Sequence, residues 1–386
     1  MQFTLACDIM MDLEGSIRPA MCLANALIGR GHKVSMMSPL MSRSVEESLS
    51  AAGIVPVNLH VKLAAKNSGL SLLWFETWAR EAFLNLNSRH VDTQSTVAVN
   101  FSHTVVVPSV FWYLQGPTSN ALVDMRNELN ATYRLVYEVS RPMIDFADGK
   151  LVKAMGQNST FCVANSKFCA SMYRKWGIRV MKIIYPPINC RIFRPKTSSP
   201  SSDYVLVYFG KETKFSIVKA VADLGVRIKA FGSKAPFIPR SLTGHPNVDF
   251  LGKISADELV DAYTNALFTF FPFTHEPFGY IPVESMACGT PTLTYDSQGP
   301  SESIVDGYSG WSVKDDAEII SKAVTIWRQG YKREMRQNCV KEASKYDQSI
   351  YVNKWLQILE ESPTKDLQTA AAPLISIGSL PVKTPS

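Results

Sequence analysis

The 386-residue sequence is short of several features, and each shortage excludes a class of protein. Its seven cysteines (Cys7, Cys22, Cys162, Cys169, Cys190, Cys288 and Cys339) are odd in number and never fall in a Cys-x-x-Cys or Cys/His metal spacing. That argues against a zinc module and a disulfide framework, and implies reduced thiols in a cytosolic protein. The chain opens without a basic segment leading into an apolar one, so no secretory signal is expected. The most apolar window, Val97 to Leu114, is interrupted by Asn100, His103 and Pro108 and falls short of the roughly 20 clean residues a spanning helix needs. No membrane span is expected. The first turn lacks Gly-x-Gly-x-x-Gly, carrying only Gly15, and no acid clearly closes the next strand, which argues against a nicotinamide oxidoreductase. No Asp-x-Asp metal motif and no repeat of 20 to 50 residues occurs, so neither a metal nor a repeat array is expected.

What the chain does hold is apolar mass. At 46% hydrophobic and 19% charged residues it has the composition of a globular protein with large cores, and its length predicts two domains. The net charge of +6 is unevenly placed. Residues 1–195 carry 20 Lys+Arg against 13 Asp+Glu, whereas residues 196–386 carry 20 against 21. A positive field on one half suits an anionic surface or a phosphate-bearing ligand on that side. Nucleic acid fits poorly, because the basic residues are dispersed and not interleaved with aromatics.

Along the chain, Phe3–Ile9 reads as a strand, Arg18–Arg30 as a helix and His32–Met37 as a second strand, the first unit of a doubly wound α/β domain. The sheet continues through Ile54–Val57, Thr96–Asn100, Val110–Leu114 and Thr160–Ala164, with a helix over Ala121–Tyr137. A Pro/Ser-rich stretch at 191–202 reads as a linker. The same grammar then restarts with strands at 204–209, 226–231, 247–251, 266–271 and 291–295. Between them lie helices at 217–224, at 255–264 (capped by Ser255 with Glu258 three residues on) and at 283–288. The expected domains are 1–190 and 203–345, followed by a helix over 346–362 and a disordered tail at 363–386.

Residues 273–311 carry the chemistry. Glu276 and Glu284 stand eight positions apart, with Pro277-Phe278-Gly279 after the first and Gly289-Thr290-Pro291 closing the intervening helix. A loop of small residues entering a helix N-terminus suits a sugar and a phosphate, with one carboxylate accepting from sugar hydroxyls and the other from a ribose diol. This segment resembles the Glu-x7-Glu motif of retaining glycosyltransferases of the GT-B fold, family four, and residues 203–345 follow that pattern. The resemblance implies two Rossmann-like domains facing a cleft, 1–190 on the acceptor side and 203–345 binding the nucleotide sugar, with the helix at 346–362 crossing back to the first. It also gives Glu276 contact with the donor sugar, the Phe278 and Gly279 amides a hold on that sugar, and Glu284 the nucleotide ribose. The family's Gly-Arg-x4-Lys segment is replaced here by Gly210-Lys211-Glu212-Thr213-Lys214, so Lys211 and Lys214 are the expected diphosphate cations. Gly15 occupies the place of the family's glycine-rich loop, and Gln115 stands where the family usually has a histidine. His103 is a further polar candidate, with His275 and Asp296 beside the cleft.

The resemblance implies metal-independent transfer of a sugar from a UDP- or GDP-sugar to a glycan or lipid-linked acceptor, with retention of configuration. A catalytically inactive sugar-nucleotide binder is the alternative. The segment Val61–Arg89 reads as an amphipathic helix, with Leu70, Leu72, Leu73, Trp74, Phe75, Trp78 and Phe83 among Lys62, Lys66, Arg80 and Arg89. Such a helix either packs into the core or docks on an anionic membrane surface, which would make the protein cytoplasmic and peripheral on the inner membrane face.

Overall fold

The computed structural model describes residues 1–13, 15–64, 70–88, 93, 96–126, 131–232 and 238–361. The tail expected at 363–386 lies outside them. The first half runs β1 (Gln2–Ala6), α1 (Arg18–Ile28), β2 (Lys33–Ser38), α2 (Arg43–Ala51), β3 (Val55–Asn58), α3 (Leu70–Leu84), β4 (Val97–Asn100) and β5 (Ser109–Leu114). It closes with α4 (Thr118–Met125), α5 (Ala131–Gln157), β6 (Ser159–Ala164), α6 (Lys167–Lys175) and β7 (Val180–Ile183). The second half runs β8 (Val205–Tyr208), α7 (Phe215–Asp223), β9 (Ile228–Phe231), α8 (Arg240–Thr243), β10 (Val248–Gly252), α9 (Ala256–Asn265) and β11 (Thr269–Phe271). It continues through α10 (Tyr280–Ala287), β12 (Thr292–Tyr295), β13 (Gly310–Val313), α11 (Asp316–Gln329) and α12 (Glu334–Ala343) to α13 (Gln348–Glu361).

The strands form two parallel sheets, ordered β3-β2-β1-β4-β5-β6-β7 and β10-β9-β8-β11-β12-β13. Each order reverses once, at β1/β4 and at β8/β11. In open α/β sheets the loops leaving the strand ends at that point form a natural ligand crevice. Ser255 caps α9 as its spacing predicts, accepting from the Glu258 amide while the Glu258 carboxylate takes the Ser255 amide at 2.8 Å.

The helix expected over Ala121–Tyr137 is two helices, α4 and the 27-residue α5, which carries Pro142 inside it. α3 sends Leu73, Trp78 and Ala82 into the core, where Trp78 Nε1 donates to Asp148 Oδ1 at 3.2 Å, while Phe75 and Phe83 on the same helix are exposed. Core packing therefore claims part of this segment. Lys66 and Arg89 lie outside the described residues.

One face of the first sheet packs on α1 and α13. Tyr351, Trp355, Leu356 and Ile358 of α13 join Leu5, Leu23, Val99 and Phe111 in one core. The Trp355 ring stands 5.8 Å from each of Phe101, Phe111 and Tyr113, and Tyr351 Oη donates to Pro19 O at 2.9 Å. Trp355→Ala would empty a fully buried ring site, so a loss of about 3–5 kcal/mol is expected. Urea unfolding would read it as a lower midpoint at unchanged slope, and a midpoint equal to wild type would show that α13 is dispensable to this core.

Candidate active site

The loops leaving the two reversal points face one another. On the first domain, β1 leads to Asp8, β4 to Ser102 and His103, and β5 to Gln115. The buried Asp8 carboxylate accepts from Ser102 Oγ at 2.6 Å, Thr104 Oγ1 at 2.7 Å, the His103 amide at 2.8 Å and Trp74 Nε1 at 3.1 Å. Burial alone would raise its pKa, but the His103 ring and the two hydroxyls overcome this and hold it at about 2. His103 therefore points Nδ1 at Asp8, 3.4 Å away, and its buried Nε2 has no hydrogen-bond partner. Gln115 spends Nε2 on Phe101 O at 3.0 Å, leaving its oxygen available. Gly15 opens a short 3-10 turn with φ +65°, and a Cβ there would meet nothing within 4 Å, so this turn presents bare backbone to open space.

On the second domain, β8 leads into Gly210-Lys211-Glu212 and β11 into Thr274-His275-Glu276. The two loops are tied together where the Thr274 amide donates to Glu212 O at 2.8 Å. Glu276 is half-buried, and its Oε1 accepts from the Phe278 amide at 3.3 Å. Burial in the cleft and the neighbouring Glu212 push its pKa well above the ordinary carboxylate range, against the pull of the Phe278 and Gly279 amides and of Lys211. Gly279 caps α10 with φ +95°, a conformation that favours glycine, and a Cβ there would crowd Pro300 at 3.0 Å. In this state the two amides that the resemblance gives to a sugar face the Glu276 carboxylate instead.

Lys211 is exposed, whereas Lys214 is engaged. Its Nζ donates to Asp316 Oδ1 at 2.8 Å and lies 4.4 Å from the centre of the Tyr295 ring. Asp296 is exposed after β12. Among the described residues no group of three His, Cys, Asp or Glu is placed to hold a metal ion. All seven cysteines are free, and burial pushes the Cys7, Cys169, Cys288 and Cys339 thiols up.

Sequence reasoning missed the groups that join the halves. Arg18 Nη1 donates to Glu284 Oε1 and its guanidinium lies over the Tyr280 ring at 5.1 Å, while Tyr263 Oη donates to Glu284 Oε2 at 3.2 Å. A carboxylate has about four lone-pair sites, so these two bonds leave acceptor capacity on the buried Glu284. His275 Nδ1 donates to Asp124 Oδ2 at 2.8 Å, which leaves its buried Nε2, like the Tyr280 hydroxyl, without a hydrogen-bond partner. Glu302 accepts from the Lys167 and Phe168 amides at 2.9 and 2.7 Å and from Tyr185 Oη at 2.8 Å, capping α6 across the cleft. Gly116, at φ +122°, lies so close to Pro277 that a Cβ would come within 2.9 Å of its ring. The only forewarning was chemical: Arg18 starts a helix directly after the Gly15 turn.

Two facing α/β domains with opposed crevices and a helix returning to the first define the GT-B architecture, the fold of many glycosyltransferases. Residues 240–346 match the family model described as glycosyl transferases group 1. Solved structures share the fold over nearly the whole chain at low identity. Anabaena HepE in complex with UDP and glucose superposes with a TM-score of 0.65 at 15% identity, covering 94% of this chain and 100% of that one. WaaG, a glycosyltransferase involved in lipopolysaccharide biosynthesis, gives a TM-score of 0.61 at 16% identity, covering 92% and 99%. Among curated proteins, an uncharacterized glycosyltransferase of Methanocaldococcus jannaschii is 25% identical over 134 residues, 33% of this chain and 38% of its own. The GDP-mannose-dependent alpha-(1-6)-phosphatidylinositol dimannoside mannosyltransferase of Mycobacterium tuberculosis is 28% identical over 156 residues, 37% of this chain and 40% of its own. Each of these two matches therefore spans less than half the length of the curated relative.

Proposed function

We propose that the protein is a retaining hexosyltransferase that moves a sugar from a UDP- or GDP-sugar to a glycan or lipid-linked acceptor without a metal ion. One observation carries the reading: Glu276 and Glu284 project from one loop-and-helix unit at the reversal point of the second sheet, against the opposed crevice of the first. In this reading Glu284 takes the ribose diol, Lys211 stabilises the diphosphate as it leaves, and Glu276 faces the sugar. His275 Nε2 and the Tyr280 hydroxyl are the buried polar groups a bound donor would satisfy. Gly15, Gln115 and His103 complete the donor side from the first domain. Lys214 joins Lys211 only by leaving Asp316. The relatives support both donor classes, one neighbour holding UDP and one relative being GDP-mannose-dependent. A cytoplasmic location, peripheral on the inner membrane face, belongs to the same proposal.

A panel of UDP- and GDP-sugars tested by thermal shift checks the reading. The cognate donor at a hundred times its Kd should add about 2.7 kcal/mol of stability, and Lys211→Ala should remove most of that gain. No stabilisation by any nucleotide sugar would overturn it. The engagement of Lys214 by Asp316 favours a second reading, an inactive binder, which would be stabilised by a donor yet never turn it over.

A further inference from the structure

The 27 residues of α5 would span roughly 40 Å at helical rise. One side of this helix packs inward through Tyr137, Ile144, Ala147, Leu151 and Met155. The opposite side is apolar and open: Leu135 is 66% exposed, Val136 61%, Val139 76%, Met143 55% and Phe146 73%. At 100° per residue these five side chains fall on one stripe, which Lys150 and Lys153 extend towards the C-terminal end. The acids at its margin are neutralised within the element and its neighbour, Glu138 by Arg126 at 3.9 Å and Asp145 by Arg141 at 3.5 Å.

The charge around the stripe is one-signed. From Gly149 to Ser202 the chain contains no Asp or Glu but ten Lys and Arg. Lys150, Lys153, Arg174, Lys175 and Arg179 are all exposed. The last three sit beside the C-terminal half of α5, because Gly149 and Gly156 are covered by Trp176 and Ile178. Large apolar side chains that run into an acid-free basic cluster match an interfacial helix on anionic lipid, whereas the core of a protein–protein interface is depleted of lysine.

We infer that the α5 face, from Leu135 to Phe146 with Lys150, Lys153, Arg174, Lys175 and Arg179 behind it, docks the protein on an anionic bilayer. This names the surface for the acceptor side of the function proposed above. It is more open than α3, which sends Leu73 and Trp78 into the core and leaves Phe75 and Phe83 only 39% and 38% exposed. The position also suits that role, since α4 leads into α5 and its Asp124 touches His275 across the cleft, so the docked face begins beside the cleft mouth.

Co-sedimentation of the full chain tests this, using vesicles of phosphatidylcholine alone and of phosphatidylcholine with phosphatidylglycerol. Wild type should bind the anionic vesicles, more weakly as salt rises. The exposed double variant Val139→Ser/Phe146→Ser should lose about a hundredfold in affinity, and Lys150→Gln/Lys153→Gln about tenfold together with part of the salt dependence. Absence of wild-type binding, or equal binding by the serine variant, would overturn the proposal. So would sedimentation equilibrium showing a wild-type dimer that the serine variant abolishes, since the face would then join two copies of the chain. Donor-induced thermal shift, measured on the same variants, should stay at the wild-type value. A failure of vesicle binding with that shift intact rejects the docking face alone, and a missing shift with vesicle binding intact rejects the donor reading alone.

Discussion

Glu276→Gln is expected to lower sugar transfer by at least about a hundredfold, the range seen when one well-placed electrostatic partner of a transition state is removed. Glutamine keeps the shape and can still accept from the Phe278 amide, so the loop should hold. On the function proposed above, what is lost is the negative charge next to a sugar carbon that becomes cationic as the diphosphate departs. Stability should move the other way. The folded protein raises the pKa of this carboxyl, so the unfolded chain ionises first: stability falls as pH rises from about 4.3 to the raised folded value, and the full cost remains above it. At neutral pH the glutamine variant should melt no lower than wild type, and its residual rate should lack the rise with pH expected of wild type as Glu276 ionises. Wild-type turnover by Glu276→Gln would sink the assignment.

Arg18→Met carries the largest expected effect on the union of the domains. Glu284 is only 2% exposed, and without the guanidinium it keeps a single neutral partner, Tyr263. Removing one member of such a pair typically costs about 3–5 kcal/mol, because the other charge is left buried and uncompensated. Arg18 is about one-third exposed, so the lower end, about 3 kcal/mol, is the expected figure, or roughly 6–12 °C in the melting temperature. The double-mutant cycle isolates the cause: in a Glu284→Gln background the same Arg18→Met change should cost little. Scattering should also show a more open ligand-free molecule. An unchanged melting temperature and radius would mean that the cleft is held by Glu302 and Asp124 without help from Arg18.

The sequence made local structure legible and left the long-range pairs hidden. Alternation of apolar runs with glycine turns located most strands, and the Ser255–Glu258 spacing announced a capping box that is present, because both signals arise within a few residues. The Glu276 loop was readable for the same reason: Pro277, Phe278 and Gly279 shape it locally. Arg18 with Glu284, Asp124 with His275 and Glu302 with the amides of α6 join residues more than a hundred positions apart, and no periodicity encodes such a meeting. Lys214 shows the limit from the other side. Its position beside Lys211 fits a phosphate site, yet its ammonium is taken by Asp316, which approaches from α11. The amphipathic pattern of α3 was equally ambiguous, since a tryptophan at helical spacing serves a core and a membrane alike until the facing helix is known. Here that helix is α5, whose Asp148 receives the Trp78 indole.

The return of α13 has a consequence for how the molecule is made. The first domain begins at Gln2, but its core is closed by Tyr351, Trp355 and Ile358. Domains usually fold in order as the chain leaves the ribosome. In this chain the earlier domain must wait, with Phe101, Phe111 and Tyr113 uncovered, until α13 has been translated. The second domain has no such debt, so it should reach its native state first although it is synthesised later.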